Sequence, residues 1–184
     1  MGDCSPPFFR PVIVAIGGPI GVGKSTVARG LADRLGYRYI SGGEVFHEVA
    51  RARGISVVEV NKLAEQDPAL DQEVDHRQRE LARAGNCVVE SRLSGWMVDA
   101  DVKIWLRAPV EVREARVAQR EGQPPTATQA AFTERERSEW SRYKALYGID
   151  IDDMSPYHLV IDTTRWRAEA IVDALTGLVC AVGR

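Results

Sequence analysis

The chain has 184 residues, a length that one domain accommodates. Its 45% hydrophobic and 27% charged residues fit a globular protein and exclude the disordered and collagen-like classes. The net charge of −2 argues against a nucleic-acid binder that works through a general basic field.

Lysine is scarce: apart from Lys24, Lys62, Lys103 and Lys144 the positive charge is arginine. Planar, bidentate guanidinium groups suit phosphate recognition, although a bias in genome composition would give the same usage. Cys4, Cys87 and Cys180 are odd in number, widely spaced and in no metal-ligand pattern, so reduced thiols in a cytoplasmic compartment are the expectation. The apolar run "PVIVAIGGPIGVG" is too short and too glycine-rich to span a bilayer. No membrane association is expected, and residues 1–10 read as a short tail.

In chain order, "PVIVAI" (11–16) is a buried strand, followed by a glycine-rich turn and a helix over 24–35. A weaker strand, "YRYIS" (37–41), precedes helical patterns at 44–53, 56–66 and 69–84. Strands at 86–90 ("NCVVE") and 102–106 ("VKIWL") lead to a helix over 109–121. The stretch "GQPPTAT" (122–128) reads as a hinge before a helix over 127–147. A strand at 157–162 ("YHLVID") and a helix over 167–181 complete the chain. Pro68 and Pro109 stand at helix starts, where the missing N–H is harmless. The alternation predicts an α/β fold in three layers, with a five-stranded parallel sheet, right-handed crossovers and ligands at the carboxyl ends of the strands.

The turn after the first strand, Gly18-Pro19-Ile20-Gly21-Val22-Gly23-Lys24-Ser25, satisfies G-x-x-x-x-G-K-[ST] and opens the helix over 24–35, with Gly18 through Thr26 expected to bind nucleotide. Its glycines let backbone amides turn around a phosphate at the positive end of the helix. Lys24 reaches the β- and γ-phosphates and the Ser25 hydroxyl ligates Mg²⁺. The alternative is a glycine-rich turn that binds nothing. The motif implies ATP or GTP, yet P-loops serve motors, switches and small-molecule kinases alike. The chain leaves no room for a motor's extra domains and carries no N-K-x-D base-reading signature.

Glu90 ends the third strand beside this loop, a suitable place to hold Mg²⁺ through water, and Arg92 stands two residues on to meet a second anion. In "RERSEWSRY", Arg135, Glu139 and Arg142 share one helical face while Arg137 points elsewhere. Arg116 and Arg120 are four apart on the preceding helix. Two arginine-bearing helices joined by a hinge describe a lid, which phosphoryl transfer requires to position reactants, neutralise charge and exclude water. The bland alternative is a solvated helix face. Trp105 and Leu106 are expected in the core, and Trp166 against the last helix. Trp96 has two readings, lining an acceptor pocket or covering the sheet. His76 and His158 have no ligand partners at suitable spacing.

With these residues in view, the chain resembles the nucleoside monophosphate kinases, and among them the short cytidylate kinases of archaea and some bacteria. The resemblance spans nearly all of residues 11–175. It is carried by "GGPIGVGKSTVARGLADRLG", "SGGEVFHEVARARG", "EQDPALDQEVDHRQREL", "VVESRLSGWM", "KIWLRAPVEVREARVAQREG" and "RERSEWSRYKALYGIDIDD" in that order. It implies ATP- and Mg²⁺-dependent phosphorylation of CMP and dCMP, with an acceptor-binding helical subdomain over 42–84 and a lid over 120–147, on a core of 11–41, 86–120 and 148–184. It further implies that Lys24, Arg120, Arg135 and Arg142 hold ATP and the transferring phosphates, with Arg116 near the adenine. Ser41 and Arg92 would hold the acceptor's phosphate, and Glu139 would approach its ribose.

Two departures stand out. His47 replaces an arginine usual after "GE-x-F", so one contact to the acceptor's phosphate is weakened or supplied by Arg51; and Leu93 replaces the aspartate by which longer bacterial relatives read the base. Asp71, Asp75 and Gln78 lie on one helical face and are the candidates for reading cytosine, Asp75 and Gln78 through their hydrogen-bonding groups, the alternative being a solvated helix face. The rival readings are a kinase of this fold for AMP, UMP or a small metabolite alcohol, and a non-catalytic ATP-binding switch. A monomer that binds only small nucleotides, without nucleic acid or membrane, is expected.

Overall fold

The computed structural model describes residues 11–64 and 66–182; the tail expected over residues 1–10 lies outside them. Five strands, β1 (Ile13–Gly17), β2 (Arg38–Ser41), β3 (Cys87–Glu90), β4 (Val102–Arg107) and β5 (Leu159–Asp162), form one parallel sheet in the order β2-β3-β1-β4-β5. The expected three-layer α/β architecture is the one formed, and the weaker second strand takes an edge.

Side chains alternate across the sheet with a period of two. Val14, Ile16, Val88, Ile104 and Leu106 face α1 (Lys24–Leu35) and α8 (Ala168–Val182), where Val27, Leu31, Val172 and Leu175 close the larger core. Each such side chain contributes about 1.5–3 kcal/mol on burial. Ala15, Cys87 and Val89 point to the opposite face and meet Val98 and Ala100. Trp105 also lies on that side and is buried with Leu93, Tyr143 and Tyr157. Trp96, from the single turn α5 (Ser94–Met97), stands edge-on to Trp105 at 5.9 Å and to Tyr157 at 4.9 Å. Of its two readings, covering the sheet is the one realised. One helical turn is too short for periodicity to reveal, which is why α5 is not visible in the pattern.

Between β2 and β3 three helices build a smaller core of their own. These are α2 (Gly42–Ala52), α3 (Val57–Ala64) and α4 (Pro68–Ala82), packed through Val45, Val49, Val60, Leu70 and Val74. Ser41 caps α2 by accepting from the Glu44 amide at 3.3 Å. Asp67 caps α4 ahead of Pro68. Both are residues that satisfy orphan amides at a helix start.

α6 (Val110–Glu121) follows β4 and stops at Gly122, in the left-handed conformation at φ 63°. α7 (Pro125–Tyr147) resumes after residues 122–124 and packs against α6. The break is shorter than the expected hinge of 122–128, because proline at the first helical position starts a helix rather than prolonging a loop. No helix among the described residues is long and apolar enough to cross a membrane. Cys87 is free and buried, and burial pushes its thiol up to about 11. Cys180 is disulfide-bonded, so the expectation of reduced thiols throughout fails for it; spacing along the chain carries no information on proximity in space.

Candidate active site

The P-loop joins β1 to α1 through three glycines at positive φ: Gly18 (146°), Gly21 (76°) and Gly23 (96°). At Gly21 the requirement is double, since a Cβ there would also press on the Arg113 backbone. Arg113 of α6 is buried and buttresses the loop. It donates to the Ile20 carbonyl at 3.2 Å, to the Ala108 carbonyl at 3.1 Å, and to Glu136 of α7 at 2.5 Å. Behind the loop, Thr163 Oγ1 donates to the Val22 carbonyl at 3.0 Å. A trans peptide points its N–H opposite its C=O, so these bonds turn the amides of Gly21 and Gly23 away from their supports. Neither Arg113 nor Thr163 was signalled by the motif.

Lys24 is buried and donates to the Pro19 carbonyl at 2.8 Å. Burial, reinforced by Arg92, pushes its amine well below the usual lysine range, against the opposing pull of Glu90 and Glu139. Glu90 gathers three hydroxyls on one oxygen: Ser41 at 2.8 Å, Ser25 at 3.0 Å and Tyr39 at 3.0 Å all donate to Oε1. Ser41 is therefore both a helix cap and a Glu90 partner. Ser25 and Glu90 together present hard oxygen donors at the mouth of the P-loop. Among the described residues there is no cluster of three or more histidine, cysteine or acidic side chains that would form an all-protein metal cage.

Across from the P-loop, Glu139 of α7 lies buried between two guanidinium groups. Arg92 donates to it at 2.7 Å and Arg135 at 3.0 Å. Burial alone would raise the Glu139 carboxyl, but Arg92 and Arg135 hold it down at about 2. The position expected to approach a ribose lines the cavity and there orients two arginines. Arg142 donates to Asp71 of α4 at 3.0 Å and to Ser138 at 3.2 Å. Arg116 is held by the Thr163 hydroxyl and carbonyl, both at 2.9 Å. Arg120 is exposed beside Glu121. Arg137 pairs with Glu134 at the surface, as its helical phase predicted.

These groups border one cavity of about 830 Å³, toward the upper end for small-molecule sites. Of the expected site residues, Ile20, Gly21, Val22, Gly23, Lys24, Ser25, Thr26, Ser41, Asp75, Gln78, Glu90, Arg92, Arg116, Arg120, Arg135, Glu139 and Arg142 all line it. Gly18 and Pro19 do not, serving instead as turn and as lysine acceptor. Asp71, Asp75 and Gln78 are buried, so the solvated-face reading fails for them. His47 lines the cavity, whereas Arg51 is exposed and is not among its lining residues. Trp166 overturns its expectation: it is 61% exposed and borders the cavity with Arg116 and Thr163, because Ala168 follows closely enough to start α8 with Trp166 still outside it.

Comparison with known proteins agrees with this geometry. Residues 13–165 match the profile of the cytidylate kinase-like family. A cytidylate kinase of Halobacterium salinarum is 47% identical over 173 residues, covering 92% of this chain and 90% of its own. One from Pyrococcus abyssi is 45% identical over 161 residues, covering 87% and 89%. Among solved structures, a shikimate kinase from Bacteroides thetaiotaomicron superposes with a TM-score of 0.62 at 16% identity, over 92% of this chain and 99% of its own. That likeness speaks for the fold. With its P-loop, its cavity-lining arginines and near-complete coverage by such relatives, the chain belongs to the cytidylate kinase-like family.

Proposed function

We propose that the protein transfers the γ-phosphoryl group of ATP to CMP, and to dCMP, giving ADP and the cytidine diphosphate. The observation that carries this reading is the Arg92–Glu139–Arg135 group, with Glu139 buried at its centre, facing the P-loop across a single cavity. The names of the similar Halobacterium and Pyrococcus proteins support the choice of acceptor.

In this reading the P-loop amides and Lys24 hold the β- and γ-phosphates, and Arg92 with Ser41 holds the acceptor's phosphate. Arg120, Arg135 and Arg142 gather over the transferring group. Arg116 and Trp166 flank the adenine. An acceptor phosphate oxygen forms the new bond to the γ-phosphorus, and the bond to the β–γ bridging oxygen breaks as ADP leaves. That oxygen is already ionised, so no general base is needed, and catalysis rests on charge neutralisation and closure. Ser25, and Glu90 through water, fit Mg²⁺, a hard cation bound with few protein ligands beside substrate phosphates; when bound it offsets charge on the β- and γ-oxygens.

Glu139 keeps Arg92 and Arg135 aimed together, and phosphates can take over its role as their counter-charge. α2–α4 serve as the acceptor subdomain over residues 42–84, and residues 120–147 as the lid. Asp75 and Gln78 read the base. An alcohol acceptor is less well supported: it would need a carboxylate base, and Glu90 Oε1 already accepts from three hydroxyls. We take the protein to act as a monomer and assign it to the cytoplasm. Chromatography after incubation with Mg-ATP and CMP tests the reading: equal amounts of CDP and ADP are expected, and ADP without CDP would overturn it.

A further inference from the structure

The wall formed by α4, the start of α2 and the residue after β3 holds two buried polar atoms without partners among the described residues, Gln78 Oε1 and Ser91 Oγ. Both residues line the cavity, and both crowd Gly42, where a Cβ would come within 3.0 Å of Gln78 Oε1 and 2.7 Å of the Ser91 Cβ. A buried polar atom left unpaired costs about 1–3 kcal/mol, so such a pair in a cavity wall points to a ligand that satisfies it.

The orientation of the Gln78 amide is fixed by its neighbours. Its Nε2 faces Asp75 Oδ1 and the Val74 carbonyl, each at 3.5 Å, the outer limit of a hydrogen bond. Turning the amide over would set oxygen against both of these acceptors. Asp75 is fixed in turn by α7: Tyr147, the last residue of that helix, donates its hydroxyl to Oδ2 at 2.5 Å. The wall therefore offers two acceptors, Gln78 Oε1 and Asp75 Oδ1, while the second carboxylate oxygen is occupied from the lid side.

We infer that Tyr147 is a positioning residue for acceptor selection: by holding Asp75 Oδ2 from the end of α7 it leaves an acceptor-only wall that takes the 4-amino group of cytosine and rejects the 4-carbonyl of uracil. This inference rests on the proposed reading of the base by Asp75 and Gln78. An exocyclic amine carries two N–H donors for two acceptors, whereas uracil presents one ring N–H flanked by carbonyl oxygens. A site built to receive a donor discriminates strongly against an analogue that lacks it. The selection depends on Asp75 being ionised, because a neutral carboxyl can donate to a carbonyl and releases the Gln78 amide to turn over.

Burial raises the Asp75 carboxyl to about 6, with the Tyr147 hydrogen bond and Arg79 pulling it down and Asp71 pushing it up. His47 from α2, Arg142 from α7, and Glu90 and Arg92 at the end of β3 border the same cavity.

The test is the ratio of kcat/KM for CMP to that for UMP between pH 5 and 8, in the wild type, Tyr147→Phe and Asp75→Asn, with thermal melts as a folding control. Ionisation of the acceptor phosphate, near pH 6, affects both substrates and cancels in the ratio. The wild-type ratio is expected to fall roughly tenfold or more as pH drops through the Asp75 range. Tyr147→Phe, which removes a hydrogen bond favouring the carboxylate, moves that fall to higher pH. Asp75→Asn makes the ratio small and independent of pH. If Asp75→Asn behaves so but Tyr147→Phe follows the wild-type profile, the role of Tyr147 is overturned and base reading by Asp75 stands. An Asp75→Asn variant that keeps the wild-type ratio and pH dependence overturns both. A wild-type ratio flat across the range overturns the inference even where Tyr147→Phe fails to fold.

Discussion

Replacing Glu139 by glutamine removes the only charge that lies between Arg92 and Arg135 in the ion pairs described above, while keeping the shape of the side chain. Glu139 is 5% exposed and its pair with Arg92 is little screened by solvent, whereas the Arg135 side chain is half in water and adds less. Its carboxyl falls from the ordinary 4.5 to about 2, and at about 1.4 kcal/mol per unit this corresponds to roughly 3 kcal/mol. Breaking a buried pair by removing one partner, which strands the other charge, costs about 3–5 kcal/mol, so the two routes agree. For a chain of this size the loss lowers Tm by about 6–12 °C at pH 7.

The sign with pH follows from the depressed pKa. The stabilisation is present in full above about pH 4.5 and is lost as pH falls from there toward 2. Urea unfolding of wild type and Glu139→Gln between pH 7 and 3 should therefore give a stability gap that is constant near neutrality and narrows on acidification. A variant as stable as the wild type at pH 7, or a gap that does not narrow in acid, would refute the claim that Glu139 is an ionised counter-charge to both arginines.

Arg142→Ala should lower kcat by about a hundredfold, as expected for loss of one charge-stabilising donor, with unchanged far-UV circular dichroism; unchanged turnover would remove α7 from catalysis. Chelation of divalent cations should abolish transfer and added Mg²⁺ restore it, since Ser25 and Glu90 alone offer no substitute for the ion's charge; activity that survives chelation would contradict the assignment of these two residues. Trp166→Ala should shift stability by less than about 0.5 kcal/mol, because the side chain is exposed. It should nevertheless raise the KM for ATP several-fold, roughly the loss of one stacked aromatic contact, and remove an ATP-dependent change in tryptophan fluorescence. An unaltered KM would separate Trp166 from the donor site.

What the sequence discloses follows from how local the constraint is. The P-loop was legible because its glycines answer backbone demands at fixed spacing, as Gly21 illustrates with φ 76° and the Arg113 backbone beside it. The strands were legible from short β-branched runs. That Asp71, Asp75 and Gln78 share one face of α4 followed from helical spacing, though not that the face is buried; all three line the cavity. The partners of these residues were not legible. Arg142 meets Asp71 across 71 positions, Tyr147 meets Asp75 across 72, and Arg113 reaches Ile20 across 93. Such contacts arise only when separate elements pack, and no local periodicity encodes them. Trp166 was misassigned for a related reason. Its bulk predicts burial, yet it precedes α8 at a strand-to-helix loop, where exposed aromatic surface borders a cavity rather than a core.

The central claim, ATP-dependent transfer to a cytidine monophosphate, is tested most directly by coupled ADP release with Mg-ATP and CMP, dCMP, UMP, AMP or GMP, beside a control without acceptor. The account predicts release that depends on acceptor, with the highest kcat/KM for CMP and dCMP and little above background without one. Release that ignores the acceptor, or none with any of the five, would contradict it and favour a nucleotide-binding switch.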